Sequence, residues 1–340
     1  MTDSSIGFSK YEEIGSEQRK QTAEKEIVEW GRDADKYREY RRLWDKAANE
    51  NYLPSNPLHV DIELSSACNL RCKMCNHGIS TMTDVGFMDD RLALRLIDEC
   101  ALLGVCSIKF NWRGEVTLNG FLPEAVKHAK SKGILEVQIN TNGLPPKKDI
   151  LIQCAENNID RIIFSVDGFS KETYENVRIG GDYDKLLGNI HELIAWRKEK
   201  KAGKPLIRVQ MVRTQSNAFE VTDFIAYWHG LVDDVRISDV TDRGQGNEMS
   251  VGDQVAVGRR RCPQPFQRLV IARDGRVSPC CADWNQRYVV GDANSTSLAE
   301  IWSNDRIGFM RCIQNNNEHD KIEICTHCPV KESYVWKRRK

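Results

Sequence analysis

The chain has 340 residues, 40% of them hydrophobic, with 49 basic and 49 acidic side chains and a formal net charge of zero. That length allows one large domain or two ordinary ones around a sizeable core. The charge balance leaves no whole-molecule field to argue for nucleic acid or an anionic membrane as a partner. No apolar run is long enough to span a bilayer. Met1 to Lys10 lack the apolar stretch of a signal peptide, so a cytoplasmic location is expected.

In chain order, residues 16–50 are charged and helix-favouring. Ile27, Trp30, Tyr37, Tyr40 and Trp44 recur at the spacing of one or two amphipathic helices. Leu53-Pro54-Ser55-Asn56-Pro57 ends them. Their apolar stripe packs on the main domain or covers a substrate or partner. From residue 58 the pattern alternates. Strands are expected at 59–64, 107–111, 135–140, 161–166, 206–212 and 234–237, with helices at 88–103, 122–132, 148–157, 185–200 and 218–231. Such alternation implies an α/β fold with a parallel sheet and outer helices. Six units suit a partial (β/α)6 TIM-like barrel, with reactive residues at the C-terminal strand ends. Gly244 to Gly258 is glycine-rich and polar. After it the rhythm stops, and Leu269–Ala272, Asp274-Gly275 and Arg276–Ser278 read as a β-hairpin. Four parts follow: a helical extension (1–57), the partial barrel (58–243), a linker (244–260) and a small C-terminal domain (261–340).

Twelve cysteines are many for a long chain without a signal, where clustered thiols point to metal rather than disulfides. Cys68, Cys72 and Cys75 form a C-x3-C-x2-C loop after the first strand. Three thiolates in one loop can hold three irons of a cubane and leave the fourth open. A zinc site with His77 as fourth ligand is the alternative. A second set, Cys262, Cys280, Cys325 and Cys328, offers four ligands, with Cys281 able to replace Cys280 and a zinc ribbon as the alternative. Cys100, Cys106, Cys154 and Cys312 read as small hydrophobes.

The cysteine loop placed after the first strand of a βα barrel resembles the radical S-adenosylmethionine (SAM) superfamily. Asn111-Trp112-Arg113-Gly114-Glu115 resembles its Gly-Gly-Glu segment, with Arg113 in place of the first glycine. Ser165-Val166-Asp167-Gly168 resembles its ribose-contacting strand end. Arg178 resembles an arginine that grips the SAM carboxylate. The C-terminal cysteines, with Gly275-x4-Cys280, resemble the SPASM/twitch extension, in an arrangement like that of the single-cluster inosamine dehydrogenase of aminoglycoside biosynthesis.

The resemblance implies SAM and two [4Fe–4S] clusters as cofactors, and a flavodoxin or ferredoxin-type electron donor. It implies SAM contacts from Met74, Gly114, Glu115, Ser165, Asp167 and Arg178. Thr141 and Asn142 could also bond the ribose, although Asn142-Gly143 could equally be a structural turn. Gln210, polar within an apolar strand, is expected to face the site. Four auxiliary thiolates would leave no iron open for substrate, which favours electron transfer and net oxidation of a small-molecule substrate: a sugar, cyclitol or nucleoside-like compound. A peptide-modifying enzyme, an epimerase using Cys281 or Cys312 as hydrogen donor, and a non-catalytic iron–sulfur or zinc protein are the alternatives.

Overall fold

The computed structural model describes residues 30–79, 84–240, 253–259, 261–326, 328 and 332–337. The stretch 16–29 of the expected N-terminal helices lies outside them. The remainder forms helix α1 (Ala34–Asn49), whose Tyr37, Tyr40 and Ala47 are buried.

Six strands make the parallel sheet: β1 (His59–Ile62), β3 (Ser107–Lys109), β4 (Glu136–Thr141), β5 (Arg161–Ser165), β7 (Leu206–Arg213) and β8 (Asp234–Asp239), hydrogen-bonded in that order. Each alternates along its length. Val60, Ile62, Ile108, Val137, Ile139, Ile162, Phe164, Val209 and Met211 are buried in the hydrophobic core. There they meet helices α2 (Asp90–Leu102), α3 (Leu122–Ser131), α4 (Ile150–Glu156), α6 (Tyr183–Glu199) and α7 (Val221–Trp228). Each such side chain contributes about 1.5–3 kcal/mol by burial. The intervening residues of every strand are largely polar and point into the barrel, as period-2 geometry requires. Helix starts are fixed locally. The Asp89 carboxylate accepts from the Arg91 and Leu92 N–H groups, and Asp182 does the same for Lys185.

Four features differ from expectation. The helix expected at 218–231 is a 3-10 turn (Ala218–Glu220) followed by α7, which ends before an extended His229. Helix α5 (Lys171–Val177) is new, and the short strand β6 (Arg178–Ile179) after it pairs antiparallel with β2 (Arg71–Cys72) of the cysteine loop. Within the expected linker, residues 253–259 form strand β9, paired with β13 (Glu332–Lys337). Finally, the C-terminal hairpin is not separate from the barrel. Its first strand, β10 (Arg268–Ile271), lies parallel beside β1 with Asp61 opposite Val270. Strands β11 (Arg276–Ser278) and β12 (Gly291–Asp292) continue the sheet to nine strands. The Asp274-Gly275 turn is possible because Gly275 adopts φ +90°. Helices α8 (Leu298–Ser303) and α9 (Asp305–Asn315) follow, tied back by the Trp302 indole N–H to the Pro54 carbonyl at 3.0 Å. Among the described residues no helix is long and apolar enough to cross a membrane.

Candidate active site and auxiliary cysteine cavity

Beyond β1 the chain turns through Ser65–Asn69 into β2. The Cys75 N–H donates to the Cys72 carbonyl at 3.0 Å and the Gly78 N–H to the Cys75 carbonyl at 2.8 Å, so the loop coils on itself. This brings the thiols of Cys68, Cys72 and Cys75 to the wall of one cavity of about 370 Å³ at the C-terminal ends of the barrel strands. Met74, Gly114, Glu115, Thr141, Asn142, Ser165, Arg178 and Gln210 line the same cavity. Burial pushes the Cys68 thiol up to about 12 and the Cys72 thiol up to about 11. Such thiols keep their protons until a metal displaces them. Three sulfurs with no carboxylate or imidazole among them are the donor set of iron–sulfur chemistry. Among the described residues, no three His, Cys, Asp or Glu side chains form a group that could hold a single ion. His77 lies outside the lining and packs edge-to-face on Trp284, ring centroids 5.5 Å apart.

The expected SAM contacts divide into two groups. Ser165 and Gln210, opposite each other in β5 and β7, present polar groups to the cavity. Arg178, beside Cys72 in the β2–β6 pair, does so as well. The second group serves the frame. Glu115 is buried, and its carboxylate accepts from the Thr117 N–H and hydroxyl, the Thr141 hydroxyl and the Asn142 N–H at 2.6–3.1 Å. It clamps the end of β4. Thr141 also accepts from the Gly143 N–H, while Asn142 Oδ1 accepts from the Leu144 N–H and its amide donates to Asn69. Asn142-Gly143 is therefore a structural turn, with Gly143 at φ +72°. Asp167 is a correction, since it does not line the cavity. Fully buried, it holds Arg178 through Nε and Nη2 at 2.7 Å and accepts the Val212 N–H at 2.7 Å.

Gly114 also meets a steric demand for glycine from the cysteine loop. A Cβ there would sit 2.4 Å from the Ala67 carbonyl oxygen and 2.5 Å from that of Ser65. The Glu115 N–H donates to the same Ala67 carbonyl at 2.8 Å. Gly114→Ala is expected to force the cysteine loop off this strand end, with loss of iron at the first cluster and an altered brown chromophore. Full iron content in that variant would refute the close approach.

Sequence reasoning missed the joint between barrel and C-terminal domain. Arg113 donates to the fully buried Glu63 through Nε at 2.8 Å and Nη2 at 2.6 Å, and through Nη1 to the Trp284 carbonyl. Glu63 also accepts the Arg273 N–H at 3.1 Å, and the Trp112 indole donates to the Cys281 carbonyl at 2.9 Å. The residue that departs from the Gly-Gly-Glu pattern thus anchors the C-terminal domain.

That domain holds a second cavity, about 50 Å³, lined by Cys262, Cys280, Cys281, Cys325 and Cys328 together with Gln314 and His319. Burial pushes Cys262 up to about 12 and Cys280 well above the ordinary thiol value. Both Cys280 and Cys281 face the cavity. Cys312 does not. It is exposed on α9, accepts from the Asn316 amide at 3.6 Å, and lies outside the lining of both cavities. His319 is fully buried and, among the described residues, neither ring nitrogen has a hydrogen-bond partner. No spacing rule marked it, because it stands alone in a polar run.

A model of the radical SAM superfamily matches residues 62–195 and one of the SPASM iron–sulfur cluster-binding domain matches residues 262–329. The chain is a radical SAM enzyme with a C-terminal SPASM domain. The first domain implies SAM and a [4Fe–4S] cluster as cofactors, and the second implies auxiliary iron–sulfur binding. The radical SAM enzyme is 25% identical over 324 residues to a tungsten-containing aldehyde ferredoxin oxidoreductase cofactor-modifying protein of Pyrococcus furiosus, covering 81% of this chain and 88% of that one. It is 22% identical over 277 residues to the SAM-dependent 2-deoxy-scyllo-inosamine dehydrogenase of Niallia circulans, covering 79% and 91%. The solved structure of Streptococcus suis SuiB bound to its precursor peptide SuiA shares the fold with a TM-score of 0.65 at 14% identity, over 87% of this chain and 74% of that one.

Proposed function

We propose that this radical SAM enzyme removes a hydrogen atom from a sugar, cyclitol or nucleoside-like small molecule and passes a further electron to its auxiliary cluster, for net dehydrogenation. In this reading Cys68, Cys72 and Cys75 hold the first cluster, and Cys262, Cys280, Cys325 and Cys328 hold the second. The barrel (58–243) and the C-terminal domain (261–340) are then the two functional units. The bound groups supply reductive cleavage of the sulfonium, fed by a flavodoxin or ferredoxin-type donor, to methionine and a 5′-deoxyadenosyl radical. The chain's own residues orient and enclose. Arg178 offers its guanidinium to the SAM carboxylate, and Ser165 and Gln210 offer hydrogen bonds to the ribose. With those groups bound, the balance would be one hydrogen atom to the deoxyadenosyl group, one proton from the hydroxyl on the same carbon, and one electron to the auxiliary cluster.

The observation that carries the oxidative reading is the second cavity. It is walled by more thiols than a cubane needs and joined to the first site through Trp112 and Cys281. A saturated cluster has no iron for substrate and suits electron transfer. Similarity to the inosamine dehydrogenase supports the same class of reaction. Anaerobically reconstituted protein is expected to hold about eight irons. Turnover in deuterated water is expected to give a product about two mass units lighter, without solvent deuterium. Solvent deuterium in a product of unchanged oxidation state would establish epimerisation with a thiol donor instead, and bound zinc without a chromophore would overturn both cluster assignments.

A further inference from the structure

Among the described residues, a cavity of about 700 Å³ lies away from the cysteine loop. It occupies the barrel interior toward the N-terminal strand ends, where α1 covers the mouth with Tyr37, Tyr40, Arg41 and Trp44. It continues the SAM-side cavity, because Lys109, Asn140 and Gln210 line both. A ligand in it would have one end at the level of Gln210, next to the SAM site, and the other at the floor.

The floor is cationic. Arg38 turns outward to Asp35. Six other cations line the chamber: Arg41, Lys109, Arg161, Arg208, Arg236 and Arg268. The lining carboxylates are Asp45 and Glu136. Asp61 and Asp234 stand behind them, and among the described lining residues cations outnumber carboxylates. The ion pairs are shared rather than one-to-one. Asp234 alone serves Arg208 at 2.5 Å and Arg236 at 2.8 Å. Asp61 serves Lys109 at 3.4 Å and Arg268 at 3.2 Å. Glu136 meets Arg161 at 3.3 Å. Arg41 rests over the rings of Tyr40 and Trp44 at 5.5 and 5.7 Å. Among the described residues, Arg268 Nε is buried without a hydrogen-bond partner. Burial and the repulsion of Arg161 and Arg236, which outweigh the pull of Asp234, bring Arg208 down to about 10. Cations thus converge on this space from five strands and a helix, and an anion among them would meet charge-assisted hydrogen bonds from several sides.

We propose that this chamber binds a phosphate group of the substrate. A phosphate dianion carries two charges and accepts bidentate guanidinium hydrogen bonds from several directions, whereas a carboxylate offers one charge and two oxygens in one plane. The proposal rests on the small-molecule reading above and narrows it to a phosphorylated compound. The phosphate sits at the floor and the carbon to be attacked lies near Lys109, Asn140 and Gln210.

The test uses full-length, anaerobically reconstituted enzyme and equilibrium dialysis at constant ionic strength. The probes are inorganic pyrophosphate, malonate, and two pairs: GTP with guanosine, and glucose 6-phosphate with glucose. Pyrophosphate and at least one phosphorylated probe are expected to bind, each about tenfold or more tighter than malonate or the unphosphorylated parent. Arg236→Gln, on the edge strand, and Arg41→Gln, on the covering helix, are each expected to weaken pyrophosphate about tenfold. Arg236→Lys should restore most of that loss, and Arg42→Gln, on the outer face of α1, should change nothing. Absent pyrophosphate binding, binding indifferent to Arg236 and Arg41, or malonate bound as tightly would overturn the proposal. The same preparation reports 5′-deoxyadenosine formation with dithionite. Radical formation without anion binding overturns the chamber alone. Pyrophosphate binding without radical formation overturns the proposed reaction and supports the chamber.

Discussion

Cys72→Ala is expected to abolish 5′-deoxyadenosine formation and to lower bound iron from about eight to about four per chain. The argument is one of position. Cys72 is the most buried of the three loop thiols, lies in β2 opposite Arg178, and has the Arg178 Nη1 at 3.8 Å from its sulfur. Alanine removes one sulfur at a site already held by backbone pairing to β6, so the loop keeps its path and the loss falls on the metal. Stability measured without metal should change by no more than about 1–2 kcal/mol, the scale of deleting one small buried group. The auxiliary cavity lies in another domain and should keep its four irons. Cys312→Ala is the control, because that thiol is exposed and lines neither cavity. Persisting 5′-deoxyadenosine from Cys72→Ala would remove the cysteine loop from the chemistry.

Local pattern made the barrel and the cysteine loop readable. The six strands and their helices follow from hydrophobic period and turn residues, and the three cysteines from spacing alone. A further signal of the same kind went unread. His59, Asp61 and Glu63 alternate with Val60, Ile62 and Leu64. Glu136, Gln138 and Asn140 alternate with Val137 and Ile139, and Arg208 and Gln210 alternate with Ile207, Val209 and Met211. A strand that is apolar on one face and charged on the other, inside a barrel, announces a wet interior. Within one segment only Gln210 stands out, a polar residue in an apolar run, whereas the row across strands emerges only when the strands are aligned. The remaining misses are non-local. The β2–β6 pair joins Cys72 to Arg178, the β1–β10 pair joins residues more than 200 apart, and Glu63 collects Arg113 and Arg273 from two domains. Nothing in a single segment encodes such register. The place of Asp167 is non-local for the same reason, since its partners Arg178 and Val212 come from other elements.

That placement of Asp167 makes the second large effect. Asp167→Ala is expected to destabilise the protein by about 3–5 kcal/mol, because it leaves a charge buried without its partner. Arg178 is 8% exposed. Burial works against its charge, and the Asp167 carboxylate outweighs that, holding Arg178 above the usual arginine value. Without the carboxylate the guanidinium is stranded and the Val212 N–H loses its acceptor at the end of β7. Two consequences can be separated. Denaturant unfolding reads the stability loss. SAM binding by equilibrium dialysis reads whether Arg178 still stands where the carboxylate of SAM needs it. The double variant Asp167→Ala/Arg178→Met decides between them. With no charge left to strand, it should recover most of the stability and none of the SAM affinity. Recovery of SAM affinity in the double variant would show that Arg178 only braces the fold, whereas a single-variant loss below about 1 kcal/mol would show that the pair carries no buried charge to speak of.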